Sequence, residues 1–261
     1  MLHQVRLFFV ALQFFTRLPI PAWVGFEPHW LQHAARYFPL VGLVVGGISA
    51  AVYALAAWAL PATVGAVLAT CAGVLATGAF HEDGFADVCD GLGGCVSAER
   101  AMAIMKDSRI GAYGAIGIAL LLGLKCATLA ALAPASAVAA LLLAHPTSRL
   151  AACTLIWGLD YVRSTNSKAK PLAQHMSAGE LALATASVAL VVLGVGLWGA
   201  LGWRPIALAL ALAAALCAYM ARGFVRRLGG YTGDCLGAVQ QVSEVGIYLA
   251  LLTCTGKAAW S

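Results

Sequence analysis

Seven apolar runs, near 37 to 60, 63 to 80, 111 to 133, 136 to 158, 181 to 200, 205 to 221 and 245 to 259, constrain every fold open to this chain. At 1.5 Å of rise per helical residue, ~20 residues cross the hydrocarbon of a bilayer, and the first six runs approach that length. The seventh is shorter and reads as either a full or a half-inserted segment. Charged residues make up only 10% of the chain, against roughly 25% in a soluble domain. Too few polar side chains remain to coat a water-facing surface, so a soluble fold would expose larger apolar patches than monomers tolerate. The chain therefore reads as an all-α, polytopic integral membrane protein with about six to seven transmembrane helices. It forms a single domain over 1–261, without an internal repeat.

Residues 1 to 20 resemble a signal peptide only superficially, because Arg17 interrupts the apolar run and no small-residue cleavage site follows. They predict an amphipathic helix lying in the interface, with Arg6, Gln13 and Arg17 on one face and Phe8, Phe9, Leu12 and Phe15 on the other, ended by Pro19 and Pro21. The connections between runs alternate between long polar ones (1 to 36, 81 to 110, 159 to 180, 222 to 244) and short ones around Pro61, Pro134 and Gly202. The long set holds Arg6, Arg17, Arg36, Arg100, Lys106, Arg109, Arg163, Lys168, Lys170, Arg222, Arg226 and Arg227, and the other side only Arg204 and Lys257. That asymmetry assigns the long loops to the cytoplasm. Glycines such as Gly42, Gly46, Gly47, Gly111, Gly114 and Gly117 read first as close helix packing in lipid. Cys89, Cys95 and Cys235 form no CxxC pair, and the other five cysteines lie in apolar runs. No zinc or disulfide framework is legible.

The acidic residues are concentrated where spans meet the long loops. The densest run is HEDGFADVCDGLGG, 81 to 94, in which Asp83, Asp87 and Asp90 are spaced i, i+4, i+7 and fall on one helical stripe. Such a stripe repels itself unless a cation neutralises it. All-oxygen ligands, Glu82 included, suit Mg²⁺, with Mn²⁺ as a substitute, bound through carboxylates and substrate phosphates. His81 reads as a ligand or, more simply, as a hydrogen-bond partner. In IMKDSRIGAYG, 104 to 114, Asp107 either caps the next helix or serves the chemistry, while Lys106 and Arg109 offer cations for phosphate. HPTSR, 145 to 149, places His145 and Arg149 one turn apart inside an apolar segment, so Arg149 should point inward to an anion or a carboxylate. For Lys125 the competing reading is snorkelling to the interface. In GGYTGDCLGAVQQVSE, 229 to 244, Asp234 and Gln241 share a face and Gln240 and Glu244 lie one turn apart, a set suited to a nucleobase or an amide-rich ligand.

Carboxylates for a metal, arginines for phosphate and glycines for close approach, with no Ser-His-Asp triad, P-loop or GxGxxG, fit phosphoryl transfer between a nucleotide-activated donor and a large amphipathic acceptor. The strings FFTRLPIP (14 to 21), RYFPLVGLVVGG (36 to 47), FHEDGFADVCDGLGG (80 to 94), KDSRIGAYG (106 to 114), HPTSR (145 to 149) and GYTGDCLGAVQQVSE (230 to 244) resemble, in order, the motifs of the cobalamin synthase family, the adenosylcobinamide-GDP ribazoletransferases. The resemblance implies a multi-pass bacterial inner-membrane enzyme that requires Mg²⁺. Its reaction would join a GDP-activated corrinoid to α-ribazole or its 5′-phosphate and release GMP. Catalytic candidates are then Asp83, Asp87, Asp90 and Asp107, and metal candidates Glu82, Asp83, Asp87 and Asp90. Substrate-binding candidates are Arg17, His81, Lys106, Arg109, His145, Arg149, Asp234, Gln240, Gln241 and Glu244. The expected partners are these small molecules and membrane lipid, with no nucleic acid; a homo-oligomer is left open. The competing reading is a transporter for a corrinoid or a divalent cation, which should carry its ionisable groups near the midplane between paired broken helices.

Overall fold

The computed structural model describes residues 2–94, 97–162 and 174–255; Cys95, Arg163, Lys168, Lys170 and Lys257 lie outside them. The described residues form eleven α-helices and no sheet, only a single bridge between Tyr161 and Tyr231. The long apolar helices are α3 (Phe38–Ala56), α7 (Ala112–Ala131), α8 (Pro134–Gly158), α9 (Ala178–Trp198), α10 (Trp203–Leu228) and α11 (Gly233–Thr255). Six helices are long and apolar enough to cross a bilayer, α3 together with the short helix before it, and the count rises to seven if a bent pair is one span. Their ends follow local chemistry. Proline opens α8, where its missing N–H costs nothing, and left-handed glycines at 199 and 229 close α9 and α10.

The bent pair is α4 (Ala62–Thr77) followed by α5 (Phe80–Gly93), whose axes meet at 91°. Two consecutive left-handed residues make the break, Gly78 at φ 66 and Ala79 at φ 60. Ala79 lacks glycine's freedom, at a cost of about 1–2 kcal/mol. Arg17 closes over this corner: its backbone N–H donates to Ala76 O at 2.8 Å, and its guanidinium covers Gly78 so closely that a β-carbon there would collide with it.

Helices α8 and α11 form the centre of the bundle, with 78% and 83% of their apolar windows buried, against 22% for α9 and α10, which therefore lie at its edge. α3 crosses α8 through Gly42 and Gly46, where an added β-carbon would strike the backbone at His145 and Leu141. That is the small-residue packing expected of helices in lipid. Gly111, Gly114 and Gly117 likewise bring α7 against α5, whereas Gly47 has open space beside it.

Three sequence expectations change. The seventh run is the end of α11, a full-length helix that starts at Gly233 rather than near 245. The expected loop 222 to 244 shrinks to residues 229–232, because α10 runs to Leu228. Both errors have one cause: polar residues at 226–227 and 240–244 lowered the local hydropathy, although the second group faces the bundle interior. Finally, α1 (Leu2–Phe15) stops before Arg17 and packs inward through Leu7, Val10, Ala11, Leu12 and Phe15, with Arg6 over the Trp30 ring at 5.9 Å.

Candidate active site

Helix α5 carries the acidic run. Asp83, Asp87 and Asp90 lie along it at the expected spacing, with Asp83 exposed and the other two half-buried. Asp90 turns into the N-terminus of α7, where its Oδ2 accepts from Gly111 N at 2.7 Å and its Oδ1 from Gly114 N at 2.8 Å. A carboxylate at the positive end of a helix is a favourable pairing. Asp90 is therefore a cap between helices, and both of its oxygens are engaged. Glu82 also departs from the expected metal set. Side chains on a helix turn about 100° per residue, so Glu82 leaves the stripe and is buried in the bundle. Among the described residues no three His, Cys, Asp or Glu side chains form a metal cage. What remains is Asp83 and Asp87 one turn apart, an all-oxygen pair. It fits Mg²⁺ in its usual protein setting, with one or two carboxylates and the remaining positions filled by phosphate and water.

The surroundings of α5 are set by close approach. A β-carbon on Gly84 would lie 3.1 Å from the Asp234 Cα, so the start of α11 and its Asp234 sit against α5 between Asp83 and Asp87. Arg17 stands at the N-terminal corner of α5. At the other end, two residues before the Gly111 whose amide Asp90 accepts, Arg109 is engaged by Asp107 through Nε at 3.0 Å and Nη2 at 2.6 Å. These hydrogen bonds push the Asp107 carboxyl down to about 2, so it stays ionised as long as Arg109 holds it. Lys106 is exposed beside the pair.

The remaining candidates lie inside the bundle. Glu244 of α11 accepts from Tyr248 OH at 2.9 Å and Gln240 Nε2 at 2.8 Å, and lies 3.0 Å from Lys125 Nζ and 3.6 Å from His145 Nε2. Lys125 also donates to Gln241 Oε1 at 2.9 Å, and Gln241 Nε2 donates to Glu82 Oε1 at 2.8 Å. Gln240 Nε2 reaches Ser148 Oγ at 3.0 Å, and Arg149 Nη1 donates to His145 O at 3.0 Å. His81 is buried against Phe15, with their rings stacked 5.4 Å apart. The Glu244 carboxylate thus meets the Lys125 ammonium in the interior, the arrangement that buried charge demands.

A cavity of about 20 Å³ opens among these side chains. Glu82 Oε2, Arg149 Nε, Gln240 Oε1 and Ser49 Oγ belong to its lining and are without hydrogen-bond partners. The space suits one water with up to four polar neighbours and is too small for a phosphate. In this conformation Glu244 joins His145 across helices and Gln240 joins Ser148, while Arg149 points inward, bonds to His145 of its own helix and lines the cavity beside Glu82. Sequence reasoning missed two members, Lys125 and Tyr248. Lys125 is only 4% exposed and does not snorkel. The available signal was stoichiometric: a glutamate at the edge of an apolar run requires a cation at similar depth, and Lys125 was at hand. A second missed contact ties the N-terminal region to α9, where Glu180 accepts from Ser177, His33 and Arg36.

Comparison with known proteins matches residues 7–252 to the Cobalamin-5-phosphate synthase family model. Curated relatives include an adenosylcobinamide-GDP ribazoletransferase of Leptothrix cholodnii, 49% identical over 97% of both chains. Another, from Shewanella woodyi, is 47% identical over 96% of both, and one from Shewanella frigidimarina is 46% identical over 96% of this chain and 95% of its own. No solved structure matches the chain. With a family match over nearly its whole length and the acidic helix, the HPTSR turn and the α11 amides each placed in one bundle, the chain belongs to the cobalamin-5-phosphate synthase family.

Proposed function

We propose that this chain is an adenosylcobinamide-GDP ribazoletransferase, which moves the phosphate-bearing corrinoid group of adenosylcobinamide-GDP onto α-ribazole or α-ribazole 5′-phosphate and releases GMP. The observation that carries the reading is the placement of Asp83 and Asp87 on the open side of α5, in a chain of this family. The ribose hydroxyl attacks the phosphorus next to the corrinoid arm, the bond from that phosphorus to the GMP oxygen breaks, and the hydroxyl proton passes to a nearby acidic side chain. Asp83 and Asp87 would hold Mg²⁺ or Mn²⁺, which supplies charge neutralisation at the diphosphate. Arg17 brings a cation to the N-terminal end of α5 and Lys106 and Arg109 to the other, Arg109 by exchanging Asp107 for phosphate. The backbone of Asp234 is held against α5 at Gly84, which makes it a further candidate for the same substrates.

The transporter reading finds some support in the buried ionisable groups and the broken pair α4–α5. Against it, only one such pair exists among the described residues, and the polar cavity has room for a single water. Chemistry needs no sealed compartment, so detergent-solubilised protein supplied with Mg²⁺ and both substrates should form the cobalamin product and GMP. Absence of product from protein that still binds the GDP-bearing donor would sink the enzyme reading.

We further place the chain in the bacterial inner membrane with α5 and the long loops in the cytoplasm, a placement supported by the basic-residue asymmetry; Arg226 and Arg227 close α10 whereas Arg204 opens it. The exposed faces of α9 and α10 then meet lipid. A reporter inserted between 159 and 180 should read cytoplasmic and one near Pro134 periplasmic. The reverse pattern would put the acidic stripe on the side without nucleotides.

A further inference from the structure

Helix α5 begins after a right-angled break, so the helix before it does not fix its rotation. Its lateral ties do. Near one end Glu82 is bound by Gln241 of α11, and near the other Asp90 is bound by the α7 amides. Helices α7 and α11 are in turn joined by Lys125, which reaches Gln241 and Glu244. Three helices are thus linked pairwise into a closed triangle, and every side of it uses a charged group.

The chemistry of the amide makes Lys125 more than a tie. An ammonium only donates, so the side chain of Gln241 must present its oxygen to Lys125. Its NH₂ is then left for Glu82, a carboxylate that only accepts. Without Lys125 the Gln241 oxygen would lose its donor, and the amide would be held from the Glu82 side alone. We infer that Lys125 is a positioning residue: acting through Gln241 and Glu82, it fixes the rotation and depth of α5 and so aims Asp83 and Asp87 at the substrate. This rests on the reading of the stripe as substrate-facing.

The experiment compares Lys125→Met, Gln241→Leu and the double variant with wild type in detergent. Hydrogen exchange across 80–93 reports the restraint on α5. The Mg²⁺ concentration for half-maximal turnover of the GDP-bearing donor with α-ribazole, together with kcat and the donor KM, reports the aim of the stripe. Both single variants should raise exchange in α5, lower kcat and raise the Mg²⁺ midpoint at least about threefold with little change in donor KM, and the double should be no worse than the worse single, because both cut one relay. Unchanged α5 exchange and Mg²⁺ midpoint in Gln241→Leu, or single effects that multiply in the double, would overturn the relay. Should Lys125→Met fail to accumulate, Gln241→Leu decides alone, since it keeps the Lys125–Glu244 pair. The underlying reading fails in a different way: Asp83→Asn would retain wild-type turnover, whatever α5 exchange shows in the relay variants.

Discussion

Replacing Asp83 or Asp87 by Asn should lower turnover at least about a hundredfold while leaving the protein in the membrane, since a metal at a diphosphate contributes several kcal/mol to the transition state. Asn keeps the size and helical register of Asp but removes the charge and much of the hard-oxygen affinity for Mg²⁺. The stripe gives the prediction internal structure. Asp83 is exposed and its substitution should be silent for folding, whereas Asp90→Asn should cost stability as well, because its carboxylate receives two amides of α7. Added Mg²⁺ should raise the melting temperature of wild type more than that of Asp83→Asn or Asp87→Asn, through linkage. Intact turnover with equal Mg²⁺ stabilisation in all of them would reduce the stripe to a solvated helix face.

The largest loss of stability is expected at Glu244. Its carboxylate is 1% exposed and is shared by Lys125, Gln240 and Tyr248. Glu244→Leu strands the Lys125 ammonium in the interior, and breaking a buried pair in this way costs about 3–5 kcal/mol. On the scale of a domain this size that is a fall in melting temperature on the order of 10 °C. Removing the stranded charge as well, in Lys125→Met with Glu244→Leu, should recover most of the loss, because an apolar pair of similar volume replaces an ionic one at little net cost. Scanning fluorimetry of the detergent-solubilised variants measures both. A double variant as unstable as the sum of the singles would mean that the two side chains do not face each other.

The helices were legible because lipid imposes a length and a composition, and residues such as Pro134, Gly202 and Gly229 mark the turns locally. The spacing of Asp83, Asp87 and Asp90 was legible for the same reason: it depends only on the helical repeat. Their partition was not. Asp90 and Asp83 look alike in sequence, and only the arrival of the α7 N-terminus distinguishes a cap from a carboxylate open to substrate. Gln240, Gln241 and Glu244 were singled out but assigned to a connection between spans, because hydropathy registers how polar a side chain is and is blind to whether a partner satisfies it. Lys125 shows the converse. Its fate depends on a glutamate far along the chain, a pairing that no local window contains.

The same distance has a consequence for biogenesis. Helices are delivered to the membrane in chain order, so α5, α7 and α8 bring Glu82, Lys125 and Arg149 into place before α11 has been made. Until then the Lys125 ammonium lacks the carboxylate that holds it, and lipid is a poor host for such a group. The polar interior can close only when the last helix enters between its predecessors. A chain that ends before Glu244 therefore has no finished bundle to form, and the final helix acts as the keystone of assembly.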